Sequence, residues 1–216
     1  MPGPSPALTA ANLRAELRAD LRGRLVTLEP LAAGHEAGLL QAADEPEVFE
    51  WMPVDMASSS DALKRWLATS LENAGAGREV PYAILDARSG AVLGSTRFLE
   101  LRAEHLRVEI GWTWLTRSAW STGANVETKL LLLGRAFEAA RLRRVEFKTD
   151  ARNQRSRGAL IALGARFEGI LRRHMVVRDG GARDSAYFSV LDHEWAELKP
   201  VLERRRDQHA ARLGLT

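Results

Sequence analysis

The 216-residue sequence contains no cysteine, which excludes disulfides, thiolate metal sites and cysteine nucleophiles together and fits a reducing cytoplasm. Tyrosine is scarce, with two in the chain. Long apolar runs are missing too: the most apolar stretch, Leu130 to Leu133, is far shorter than a bilayer requires. The first residues, Met1 to Pro6, lack a charged segment followed by an apolar one, so they do not read as a secretory signal. These absences lead us to expect a cytoplasmic protein with no membrane partner. An excess of one charge is also lacking. Lysine and arginine total 31 against 28 acidic residues, so the net charge is +3, although the pI is 9.7. Three basic clusters exist: Arg141, Arg143 and Arg144; Arg172, Arg173 and His174; and Arg204, Arg205 and Arg206. They are short and separated, with acidic residues between one cluster and the next, so they read as solvated faces and no nucleic-acid partner is expected. No metal is expected either.

What is present describes one globular domain with extensions. Apolar residues make up 45% and charged residues 27%, and the length suffices for a core without staples. Residues 1–8 are rich in proline and serine and read as a disordered tail. Leu13, Leu17 and Leu21 recur at helical spacing after a capping Thr9. We therefore assign 1–23 to a tail and short helix, 24–196 to the main domain and 197–216 to a C-terminal helical extension. Strands are predicted at 24–29, 81–86, 92–101, 106–115, 145–149, 166–177 and 185–191. Helices are predicted at 35–43, 61–73, 125–140, 154–163 and 194–212, with Gly164 closing the fourth. The fold class is α/β, with a mixed, mostly antiparallel sheet and helices on both faces.

One stretch carries chemistry. A strand, Glu109-Ile-Gly-Trp-Thr-Trp-Leu115, enters a loop containing Gly123, and the loop opens a helix at about Asn125. Helix N-termini present unpaired N–H groups and a dipole that favours anions. A glycine there lets backbone approach a phosphate closely. On the glycine alone, an ordinary loop entering a helix is the better explanation of the pattern.

The joint pattern is more specific. Glu109–Leu115, Thr122–Leu133, Val145–Ser156 and Leu163–Ala165 resemble the GCN5-related N-acetyltransferase (GNAT) superfamily. Within it they are similar to the branch of ribosomal-protein N-terminal acetyltransferases. Arg172–Met175, Asp179-Gly180 and Phe188–Leu191 fit as well, and the resemblance spans roughly residues 24–196. It implies a sheet splayed at its middle, where the strand ending at Leu115 parts from the one at Val145 to Thr149. Acetyl-CoA would enter that gap. Backbone of Trp114, Leu115 and Thr116 would pair with its pantetheine arm, and an N–H near Leu115 would polarise the thioester. Backbone N–H groups of Ser121, Thr122, Gly123, Ala124 and Asn125 would hold the pyrophosphate. Asn153 would touch pantetheine or an ordered water, and Ser156 would lie near the thiol. Two departures stand out. Trp120 and Asn125 replace the usual outer residues of the phosphate signature. Leu160 occupies the position of a tyrosine that often serves as general acid, so Ser156 or water must substitute.

Acetyl transfer to an amine needs a base. Glu109 is the first candidate, and strand alternation places Gly111 and Thr113 on its side. His174 and Tyr187 have bland alternatives, as a surface histidine and a packing residue. Trp51 and Met52, in the segment Trp51-Met52-Pro53-Val54, are expected on the acceptor side. The acceptor would be a primary amine, a peptide or protein N-terminus among the options. The alternative is a non-catalytic acyl-CoA-binding protein. The N-terminal arm and the last helix offer surface for a homodimer.

Overall fold

A computed structural model describes residues 8–215. The expected disordered tail falls outside the described residues except for Leu8. Helix α1 (Ala10–Leu17) opens on Thr9, whose hydroxyl accepts from the Asn12 N–H at 3.2 Å. Strands β1 (Leu21–Arg22) and β2 (Val26–Pro30) precede α2 (Glu36–Ala42) and α3 (Ser60–Gly75). A meander of β3 (Val80–Asp86), β4 (Val92–Arg102) and β5 (Arg107–Leu115) leads into α4 (Ala124–Gly134). Then come β6 (Arg144–Asp150), α5 (Gln154–Leu163), β7 (Arg166–Val176), β8 (Ala182–Leu191) and α6 (Asp192–Arg212).

The predicted order is therefore present, with two differences in detail. The two-residue strand β1 is too short to leave a periodic signal, and it takes Leu21, which the helical spacing groups with the first helix; that helix ends at Leu17. The helix expected to reach residue 140 changes to π-helical winding over Arg135–Ala139 and stops at Arg141, whose φ is 53°.

All eight strands form one sheet in the order β1-β2-β3-β4-β5-β6-β8-β7. Only β5 and β6 pair in parallel, which is what a crossover through α4 requires. The sheet separates two apolar layers. One gathers Leu13 and Leu17 of α1, Leu130 and Leu133 of α4, Leu160 of α5 and Trp195 and Leu202 of α6. The other gathers Leu39 of α2, Phe49, and Leu63, Trp66 and Leu67 of α3 against Ala83 and Trp114. Helix α6 is continuous through residues 196 and 197, so the predicted boundary between domain and extension falls inside one helix.

Glu127 ties the chain entry to this frame. Its fully buried carboxylate accepts from the backbone N–H groups of Arg24 at 2.9 Å, Leu25 at 2.5 Å and Val26 at 2.8 Å. A Cβ on Gly23 would lie 2.4 Å from that carboxylate, so only glycine fits there. No described helix is long and apolar enough to cross a membrane.

Candidate active site

The sheet opens at one place. β5 and β6 pair at Arg107↔Arg144, Val108↔Val145 and Glu109↔Glu146 and nowhere beyond. Past Glu109, β5 continues to Leu115 against β4 alone, while β6 continues to Asp150 against β8 alone. A bulge accompanies the parting. Ser95 pairs with Trp114 and Arg97 with Gly111, so Trp112 and Thr113 together face Thr96, and Trp112 sits at φ 50°. An extra residue of this kind bends and twists its strand.

The bulge also corrects the strand alternation. Gly111 stays on Glu109's face, where its Cβ position lies 3.1 Å from Glu109 Oε1. Thr113 is turned to the opposite face. Its hydroxyl bonds Thr96 Oγ1 at 2.8 Å and accepts from Lys129 Nζ of α4 at 2.6 Å. Trp114 returns to the α3 face and packs edge-on against Phe49 and Trp66, with centroids 5.1 and 6.2 Å away.

The Thr116 N–H donates to Leu93 O at 2.7 Å, so this amide is committed to β4. Adjacent strand amides point to opposite edges, which turns the Leu115 N–H toward the gap. The Leu115 carbonyl accepts from Trp120 Nε1 at 2.9 Å. Trp120 is flanked by the guanidinium groups of Arg117 at 4.5 Å and Arg155 at 3.7 Å, which join the β5 and α5 sides of the gap.

At the mouth stands the N-terminus of α4. The N–H groups of Asn125 and Val126 have no intrahelical acceptor. The Ala124 N–H reaches Thr122 Oγ1 at 3.4 Å, and Ser121 is exposed at φ 62°. Gly123 has a second reason to be glycine besides a phosphate. Its φ is 93°, and a Cβ would come within 2.6 Å of His209 Cβ and 2.9 Å of Leu25 Cδ1. Across the gap, Asn153 caps α5 by accepting from the Ser156 N–H at 2.9 Å, so its carbonyl oxygen is already engaged. Ser156 lies half-buried in the first turn of α5.

Glu109 sits at the apex, 3% exposed. Burial raises its carboxyl above the ordinary range, and Lys148 Nζ at 3.1 Å opposes that rise. Lys148 faces Tyr187 across the β6–β8 ladder. Burial raises the Tyr187 phenol, and the Glu109 charge adds to it. His174 contacts Tyr187 edge-on with centroids 5.6 Å apart and bonds Ser185 Oγ at 3.0 Å, and burial lowers its imidazole. The sequence reading missed Lys148. Strand alternation from Glu146, the parallel partner of Glu109, is the signal that places it on this face.

Trp51 and Met52 lie above this face. Arg152 approaches the Trp51 ring at 5.3 Å, and Asp55 pairs with Arg178 beyond β7 at 3.6 Å, so the segment is tied to the far half of the sheet. Met52 packs with the α2–α3 layer. A cavity of about 260 Å³ adjoins, lined by Val54, Trp66, Arg97 and Trp112 among others. Another, of about 680 Å³, lies between α1 and the end of α3 and includes no residue of the gap. Among the described residues no group of His, Asp or Glu is arranged to hold a metal.

Residues 25–166 match the acetyltransferase (GNAT) domain family. A GCN5-related N-acetyltransferase from Brucella melitensis is 32% identical, with a TM-score of 0.81 over 87% of this chain and 85% of that one. A protein from T. thermophilus assigned as an acetyltransferase is 40% identical, with a TM-score of 0.78 over 86% and 96% of the two chains. At 24% identity, Mycobacterium smegmatis RimJ in complex with CoA-disulfide shares the fold, with a TM-score of 0.68 over 82% and 87%. No curated protein matches the chain. With more than half its length inside the family's domain and a gap of this form in its sheet, the chain belongs to the GNAT family and is an acetyl-CoA-dependent acetyltransferase.

Proposed function

We propose that the protein transfers the acetyl group of acetyl-CoA to a primary amine by direct attack, with a peptide or protein N-terminus as the acceptor class to test first. The observation that carries this reading is the parting of β5 from β6 just past Glu109, with a buried carboxylate at the apex and free helix N–H groups at the mouth. An extended pantetheine arm suits an opening between two strands. Leu115 offers its N–H to it, flanked by Trp114 and Thr116. Residues Ser121 to Asn125 receive the pyrophosphate, while Asn153 and Ser156 line the opposite wall. RimJ from M. smegmatis, which shares the fold, was solved with a CoA-derived ligand, and that supports the placement.

Glu109 acts as the base for the acceptor amine, directly or through water, because burial favours its uptake of a proton. Trp51 and Met52 bound the acceptor. Positioning both reactants in this gap supplies much of the acceleration. The protein is taken to work in the cytoplasm, and a homodimer is part of the reading, checked by light scattering.

Leu160 favours a second reading, a non-catalytic acyl-CoA-binding protein, since it is buried and apolar where a proton donor would aid the leaving thiolate. A panel of amines and N-terminal peptides with thiol detection separates the two. Turnover supports the transferase; micromolar binding of acetyl-CoA without turnover supports the binder. Glu109→Gln is expected to lower kcat by roughly 100-fold while leaving the dissociation constant of acetyl-CoA near wild type. Unchanged kcat would clear Glu109 of the role.

A further inference from the structure

Lys129 has no explanation in the fold. It lies on α4, 5% exposed, among leucines. Its ammonium carries three donors, and among the described residues the one acceptor it meets is Thr113 Oγ1 at 2.6 Å. The Phe147 ring lies 5.9 Å away. No carboxylate approaches it among the described residues, and burial alone lowers its pKa to about 7. A buried cation without a counter-charge is costly, and such groups concentrate at functional sites.

Its position gives the reason. Thr113 is the β5 residue turned over by the bulge, and Phe147 is the first β6 residue beyond the last β5–β6 pair. Lys129 therefore underlies the gap from the α4 face, near its apex. Glu109 addresses the same apex from the α3 face. The two phenols of the chain are engaged elsewhere: Tyr82 donates to Leu17 O, and Tyr187 lies on the Glu109 face beside His174. An alcohol such as Ser156 is a far weaker acid than an ammonium.

We propose that Lys129 is the proton donor to the sulfur that leaves acetyl-CoA. The proposal rests on the transferase reading above. The acceptor nitrogen bonds to the thioester carbon and loses a proton to Glu109 or water. The carbon–sulfur bond breaks, and sulfur departs with its electron pair. Lys129 Nζ gives that sulfur a proton, yielding the free thiol and a neutral amine, which regains its proton from solvent. Thr113 holds Nζ in place, and Thr96 holds Thr113.

The charged groups around Lys129 leave its titration to burial. On α4, Glu127 is turned to the backbone of residues 24–26. Glu109 of β5, Lys148 of β6 and Arg97 of β4 project from the other face of the sheet. Arg157 of α5 bonds Ala151 O, and Arg206 of α6 pairs with Asp207.

The chain has four lysines, so carbon-13 labelling at Cε gives a readable nuclear magnetic resonance titration. One resonance is expected to titrate near pH 7 and to vanish in Lys129→Met. A non-hydrolysable thioether analogue of acetyl-CoA is expected to displace that resonance and shift its midpoint. In turnover, Lys129→Met should lose roughly 100-fold in kcat at neutral pH with KM for acetyl-CoA changed by less than about threefold. The wild-type kcat should carry a loss above about pH 7 that the variant lacks. Lys129→Arg keeps the cation but cannot release its proton in this range, so it should fold, melt below the wild type above about pH 7 where the lysine sheds its charge, and match the Met variant in kcat. Binding of the analogue that leaves the Lys129 resonance unmoved overturns this proposal alone, as do wild-type kcat and pH profile in both variants. An analogue that does not bind at all overturns the transferase reading and this proposal with it.

Discussion

At the scale of single residues, the site is built from groups that the fold would be more stable without. Lys129 is the clearest case. Its ammonium pKa is about 7 in the fold, against 10.5 for the ordinary side chain. Between those values the unfolded chain binds the proton and the folded chain does not, so stability rises with pH across the interval. Below about pH 7 both states are protonated and the folded state bears the whole cost of the buried charge. Lys129→Met removes that cost. It is expected to raise the unfolding free energy by about 3 kcal/mol near pH 6, with the gain shrinking toward pH 10. Paired denaturation curves at several pH values check this, and a gain independent of pH would contradict the assignment. The sequence made part of this site legible. Glu109 could be singled out because one motif placed it on a strand that leads to a loop and helix. Lys129 lay inside the same motif, within the helix predicted at 125–140, but was not singled out, because nothing in the spacing reveals that the gap lies over it. Thr113 was placed on the wrong face for a similar reason: the bulge depends on the left-handed backbone of Trp112, a conformation that tryptophan does not advertise.

At the scale of elements, periodicity was enough to locate helices and strands to within a few residues, since each buries one stripe or one face. The elements it could not show are those made by tertiary contact alone, the two-residue β1 and the π-helical winding after α4. How the elements are fastened was also hidden. In the stretch Asn125 to Lys129, sequence alone suggests a phosphate site, yet the acid within it is structural. Glu127 gathers three backbone N–H groups from the start of β2 onto α4. In Glu127→Gln one oxygen becomes a donor, and it would point at N–H groups that also donate. An expected loss of about 3 kcal/mol follows from unpaired buried donors. Chemical denaturation measures it, and hydrogen exchange should accelerate first at residues 24–26. A variant as stable as the wild type would show that this fastening contributes little.

At the scale of the whole molecule, the family match ends at residue 166, yet the open end of the sheet leans on what lies beyond. Helix α6 runs beside α4 along its length. Trp195 packs against Phe137 with centroids 5.7 Å apart and donates to Glu138 Oε1 at 2.8 Å. At the other end, His209 fills the space beside Gly123 that any side chain there would claim. Leu202 between them and Ala210 next to His209 are fully buried in the same layer as Leu132 and Leu133. Arg205 also bonds Ala162 O of α5, so one helix braces both walls of the gap. The last helix is therefore expected to be part of the domain and not an appendage. A chain ending at Leu191 would expose Leu132, Leu133, Ala136 and Phe137, and the α4 N-terminus would lose its backing. Since a large aromatic-to-alanine change in such a layer already costs about 3–5 kcal/mol, loss of the entire helix should exceed the stability of an ordinary domain. The expected result is no cooperative thermal transition and no detectable binding of acetyl-CoA, with Trp195→Ala intermediate: folded, less stable, and still able to bind. A truncated chain that melts cooperatively and binds acetyl-CoA as the full chain does would mean that α4 holds its place, and its free N–H groups their aim, without α6.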